Sequence, residues 1–187
     1  MSGTDLLTFA RTNHFEGVQN ELQAGAYMNH EEEGVTPLIV TAQNGFLPLM
    51  DLLLAHHVNV DYTNEIGETA LLLAAANNQL GAVQRLLNYQ SSVNHADEDG
   101  FTALIHAATG GYTAVVDTLL LAQADVNLPD GDGNSPLLHA AREGHLTTVQ
   151  YLLAAGASQQ ATNHDGETAF DVAATEDIRT ALSGAQI

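Results

Sequence analysis

Apolar residues along this chain come in short bursts of two kinds, separated by polar breaks rich in Gly, Asp and Asn. The first kind is compact and alanine-rich: Leu38 with Ala42, Leu71 with Ala74-Ala75, Leu104 with Ala107-Ala108, Leu137 with Ala140-Ala141. The second is a broader stripe: Leu49, Met50 and Leu52-Leu53-Leu54; Val83 and Leu86-Leu87; Val115-Val116 and Leu119-Leu120; Val149 and Leu152-Leu153. Apolar positions recurring at i, i+3 and i+4 mark one face of an α-helix, so each pair of bursts predicts two short helices. Thr36, Thr69, Thr102 and Ser135 stand just before the first burst, where a hydroxyl can accept a hydrogen bond from an orphan backbone N–H. Pro37 and Pro136 follow at the first helical position, where a missing N–H costs nothing. Gly45, Asn78, Gly111 and Gly144 fall at the predicted end of the first helix and tolerate a left-handed cap. The polar stretch after the second helix reads as a turn.

The pattern has a fixed period. Gly34, Gly67, Gly100, Gly133 and Gly166 are each separated by 33 residues. Two positions after each comes Thr36, Thr69, Thr102, Ser135 or Thr168, and two further on comes Leu38, Leu71, Leu104, Leu137 or Phe170. One helical pair cannot bury both of its faces, whereas stacked copies bury a continuous core. A degenerate first copy (Thr4, Leu6, Ala10, Phe15, Val18, Leu22, Gly25-Ala26) fits if its spacing to the next is one residue shorter. A truncated last copy begins near His164, with a short second helix expected from Glu176 to about Ser183. Both terminal copies carry polar residues where inner ones are apolar, as ends facing water should.

These residues resemble the ankyrin repeat. Thr36-Pro37-Leu38 and Ser135-Pro136-Leu137 are similar to its Thr-Pro-Leu-His signature, Ala140 to Leu146 to its Ala-Ala-x-x-Gly-His-Leu, and Ala124-Asp125-Val126-Asn127 to its loop. The resemblance covers nearly the whole chain. It implies an all-α solenoid of stacked helix-turn-helix units with β-hairpin loops: a single domain, 1–187, of about six repeats at 1–30, 31–63, 64–96, 97–129, 130–162 and 163–187. The signature His is replaced by Ile39, Leu72, Ile105, Leu138 and Asp171. The Gly expected after the second helix is kept at Gly156, but His57, Gln90 and Gln123 take its place elsewhere. A non-glycine residue in a left-handed conformation costs on the order of 1 kcal/mol.

Charge changes the picture more than composition does. Against 23 acidic residues stand four basic ones, all Arg, for a formal net charge of −19. Such a surface repels phosphate backbones and anionic membranes, and it attracts and steers a basic partner. Self-repulsion also favours a monomer. Cys is absent, excluding disulfides and thiol chemistry. No apolar run approaches the length of about 18 residues that spans a bilayer. Met1 to Phe15 carries no basic segment followed by an apolar stretch, so a cytoplasmic location is the expectation.

Nine histidines invite a metal or catalytic reading. His106 and His139 occupy the same slot of successive repeats, roughly 10 Å apart, too far to share a zinc ion. His145 resembles the family's own structural histidine. Glu31-Glu32-Glu33 and Asp97-Glu98-Asp99 fall in turns rather than a cleft that would shield an acid or base. Asp130-Gly131-Asp132-Gly133-Asn134 looks like a calcium loop but lacks the later bidentate Glu. No phosphate-cradling glycine motif occurs. The expectation is a non-catalytic protein without cofactor or metal.

The resemblance implies a contact surface made of hairpin tips and the exposed side of the first helices. Carried over, the candidate partner-binding residues are Glu32, Glu33, Val35, Glu65, Ile66, Glu68, Glu98, Asp99, Phe101, Asp132 and Asn134 at the tips, with Asn44, Asn77 and Arg142 on the helices. With Glu31, Asp97 and Asp130 at the turn entries, and Asp165 and Glu167 at the last tip, about half of the acidic residues fall along this edge. Val35, Ile66 and Phe101 are the apolar residues among them, and Phe101 is the candidate anchor. The expected function is recognition of a protein with a basic surface. The alternative is an inhibitor or regulatory subunit that masks the basic face of an enzyme or DNA-binding protein. The resemblance also marks Asn94 and Asn127 as the slot that is hydroxylated in some members.

Overall fold

The structure is a computed structural model that describes residues 4–26 and 34–184. Those residues form eleven helices: α1 (Thr4–Arg11), α2 (Phe15–Gln23), α3 (Pro37–Asn44), α4 (Leu47–Ala55), α5 (Ala70–Ala76), α6 (Leu80–Asn88), α7 (Ala103–Thr109), α8 (Thr113–Leu121), α9 (Pro136–Arg142), α10 (Leu146–Ala154) and α11 (Glu176–Gly184). The expected hairpin loops are tight turns, and among the described residues the β-bridges Thr63–Thr69 and Ala96–Thr102 are isolated, so no sheet forms.

The hydroxyls cap as their positions predict. Thr36, Thr69, Thr102 and Ser135 accept from the N–H of Ile39, Leu72, Ile105 and Leu138 at 3.3, 3.3, 3.2 and 3.2 Å. The first helices are enclosed, with every residue from Pro37 to Ala42 buried. Their alanines (Ala42, Ala74, Ala75, Ala107, Ala108, Ala140, Ala141) are fully buried, because a methyl group lets adjacent helices approach closely. The first helices end left-handed at Gly45, Asn78, Gly111 and Gly144. The second helices end on His57, Gln90 and Gln123 at φ 59°, 63° and 65°, a conformation that Gly25 and Gly156 meet without penalty in other copies.

The chain divides into two compact units, Met1–Ser92 and Val93–Ile187. In the first, α3 packs against α1, α4 and α5, while α4 packs against α2 and α6. In the second, α9 packs against α7 and α10, and α10 against α8 and α11. Within each unit side chains of the loops after the second helices tie consecutive copies. Asp61 accepts from the Ser92 N–H and hydroxyl at 3.0 and 2.7 Å, and Asn94 and Asn127 accept from Asp125 N and Ser158 N at 2.8 Å each.

The last copy departs from the pattern. No helix follows Thr168; residues 169–172 form turns instead. Asp171 stands there, where inner copies have Leu or Ile. Its carboxylate accepts from the Thr168 hydroxyl at 2.6 Å and the Thr168 N–H at 2.9 Å, while the Asp171 N–H donates to the Thr168 hydroxyl at 3.4 Å, so the two residues close one reciprocal turn. The two hydrogen bonds to its carboxylate hold the Asp171 carboxyl below its usual value. Ile178 and Leu182 of α11 then close the core.

Candidate functional site

The tips are built by one residue that recurs with the repeat. Asn64, Asp97, Asp130 and Asn163 each stand three positions before the turn glycine. In each, Oδ1 accepts the N–H two and four residues on: Ile66 and Glu68 at 3.2 and 2.8 Å, Asp99 and Phe101 at 3.0 and 2.8 Å, Asp132 and Asn134 at 3.0 and 2.8 Å, Asp165 and Glu167 at 3.1 and 2.9 Å. A backbone bond crosses each turn, from the same residue's N–H to the carbonyl four on. In the second unit successive turns are also joined, Gly131 N to Asp99 O at 2.8 Å and His164 N to Asp132 O at 3.0 Å. A Cβ on Gly100, which has φ 83°, would lie 2.5 Å from Gly131 N, so this approach requires glycine.

The aspartates at this slot differ from the asparagines in their second partner. Asp97 and Asp130 each have a histidine nine residues on, whereas Asn64 and Asn163 have Leu73 and Val172. His139 Nε2 lies 2.7 Å from Asp130 Oδ2, both side chains buried, and His106 Nε2 lies 3.8 Å from Asp97 Oδ2. Burial is the strongest single influence on the Asp130 carboxyl and raises its pKa. Hydrogen bonds from His139, the Asn134 backbone and the Asn134 amide together outweigh it and hold the group below its usual value. Spacing alone suffices to find these four residues, yet Asp97 and Asp130 read as members of an acidic rim. That expectation is corrected here: Asp130 points inward, its side chain 3% exposed, and Asp97 is nearly as enclosed at 10%.

The predicted contact residues divide by burial. Glu32 and Glu33 lie outside the described residues. Glu65, Ile66, Glu98, Asp99 and Asp132 are exposed, Ile66 at 56%. Val35, Glu68 and Phe101 are half-buried, Glu68 receiving the Asn64 amide at 2.7 Å. Asn134 is buried; its Oδ1 accepts from Arg142 at 3.3 Å and Asn163 at 3.1 Å, so it braces the turn from inside. Arg142 also lies 3.6 Å from Glu167. Asn44 and Asn77 are exposed, each donating to the carbonyl four residues back.

Phe101 sits against two imidazoles, its ring centroid 5.2 Å from that of His106 and 5.4 Å from that of His139. Above it opens a groove of about 480 Å3 lined by Glu98, Asp99, Phe101, Gly131 and Asp132. A second hollow of about 260 Å3 lies next along, between Asp132, Asn134, Arg142, Asn163, His164 and Asp165. His145 Nε2 is 2.9 Å from the Thr109 carbonyl, a brace between helices α7 and α10. Among the described residues no helix is long and apolar enough to cross a membrane.

Comparison with family models matches this chain to one described as Ankyrin repeats (3 copies), over residues 6–97, 42–130 and 115–183. Comparison with curated proteins returns no match.

Proposed function

Given that the chain belongs to the ankyrin-repeat family and is therefore a protein–protein interaction module, we propose that it recognises a partner with a basic surface through its turn tips. The observation that carries this reading is the state of the outward carboxylates. Glu65, Glu98, Asp99 and Asp132 are exposed, and no ion pair engages them among the described residues. Glu98, Asp99 and Asp132, like charges on the joined turns of the second unit, repel one another, and a cationic partner relieves that repulsion as it binds. Nucleic acid and anionic membranes, carrying the same sign of charge, are disfavoured. Within the second unit Phe101 supplies apolar contact beside Glu98, Asp99 and Asp132, the arrangement that protein interfaces favour, and within the first Ile66 is exposed beside Glu65. Binding, not catalysis, is the activity this surface supports, in a monomer of the cell's cytoplasm.

The test compares capture from an extract of the source cell by wild type and by a Glu65→Lys/Glu98→Lys variant, at low and at physiological salt. The expected result is a partner held by wild type, weakened by salt and lost by the variant. Equal retention of every captured protein by both forms would place recognition elsewhere.

A further inference from the structure

We infer that the groove over Phe101 is a subsite for one arginine side chain of a basic polypeptide. The inference rests on the basic-partner reading above and specifies the residue that enters.

The groove is larger than an acidic cluster on an open turn. It is an open groove of about 480 Å3. Its walls come from two successive turns, Glu98 and Asp99 on one and Gly131 and Asp132 on the next. Those turns are fixed to each other by the Gly131 N–H on the Asp99 carbonyl at 2.8 Å. The wall at Gly131 stays open because a Cβ there would meet that carbonyl at 2.9 Å. The floor is Phe101, held by its backbone N–H on Asp97 and by the flanking rings of His106 and His139. The site is therefore formed before anything binds.

Its chemistry selects the occupant. Glu98, Asp99 and Asp132 bear three negative charges around the opening. Among the described residues no ion pair engages them: Arg85 pairs with Asp51, Arg142 with Glu167 and Arg179 with Glu176, and Lys does not occur in the sequence. An anionic group is repelled, and a plain apolar group would strip water from the carboxylates without replacing it. Between the two basic side chains the aromatic floor decides. A guanidinium is planar, weakly hydrated and stacks on a ring while its N–H groups reach carboxylates at the edge. A lysine ammonium keeps its water and gains less from the floor.

Oligo-arginine and oligo-lysine peptides of equal length, titrated by NMR into the full chain, test this. Wild type should bind the arginine peptide about two- to fivefold more tightly, with arginine Cδ protons close to the Phe101 ring. Phe101→Leu should remove the preference and leave a residual, salt-sensitive affinity common to both peptides. Asp132→Asn, at an exposed position away from the core, should weaken arginine binding with the ring contact retained. Equal binding of the two peptides by wild type, or a preference that survives both variants, would overturn the arginine subsite and leave the basic-partner reading standing. Absence of salt-sensitive binding to either peptide would remove both.

Discussion

Gln123 ends α8 at φ 65°, a conformation in which its Cβ crowds the following carbonyl. Gln123→Gly relieves on the order of 1 kcal/mol in the folded chain, less the freedom glycine adds to the unfolded one. The melting temperature should rise by about 2 °C, measured by thermal unfolding followed by circular dichroism. Asp130 is held in the opposite sense, by charge. Its carboxyl lies below the ordinary 3.8 when folded, so the stabilisation is complete above that pH and fades as the pH falls through the lower folded value. Asp130→Asn keeps a turn that Asn64 and Asn163 already make but withdraws the charged acceptor from His139. The expected cost at neutral pH is about 1–3 kcal/mol, and the melting-temperature gap from wild type should narrow below pH 3.8. A gap that is constant with pH would mean the charge contributes nothing.

At the scale of the element, local chemistry decides most of what forms. A hydroxyl, an optional proline, an alanine-rich run and a left-handed closing residue specify each first helix within about ten positions, and these features are legible from Thr36 to Gly144 without any knowledge of packing. The last copy carries the same Thr and alanines, and Thr168 still accepts the Asp171 N–H, yet only turns follow, so the cap alone does not specify a helix. The tips were less legible for a different reason. A carboxylate in a turn is a solvated charge if it faces out and a turn brace if it faces in, and Asp130 differs from Glu98 in taking the N–H groups of Asp132 and Asn134 from its slot three residues before the turn glycine. Thr102→Ala removes a buried cap of α7 and should cost about 1 kcal/mol by urea unfolding.

For the whole molecule, the two salient quantities are a net charge of −19 and the single sign of the outward tips. Salt screens self-repulsion and should raise the melting temperature, while it weakens association with a basic partner. Opposite signs for stability and binding in one salt titration would identify surface charge as the common cause; a melting temperature indifferent to salt would mean that the acidic residues are too far apart to oppose folding. The family and its all-α repeat solenoid follow from periodicity, because every copy must present the same face to its neighbours. Periodicity is silent about the partner, because the repeat leaves tip residues such as Ile66 and Phe101 free to vary from copy to copy.

The Asx turns have a consequence for the water that covers them. At each tip two peptide N–H groups are turned inward onto one side-chain oxygen, and in the second unit Gly131 and His164 give theirs to the preceding turn. Among the groups left on the outer surface are the oxygen lone pairs of the exposed Glu98, Asp99 and Asp132 carboxylates. Water bound there is oriented hydrogen-first, and a ligand displacing it must bring hydrogens of its own to replace those lost. Polarity of this kind discriminates even among uncharged groups: an amide NH2 or an indole N–H can take the place of that water, whereas an ether or a ketone cannot.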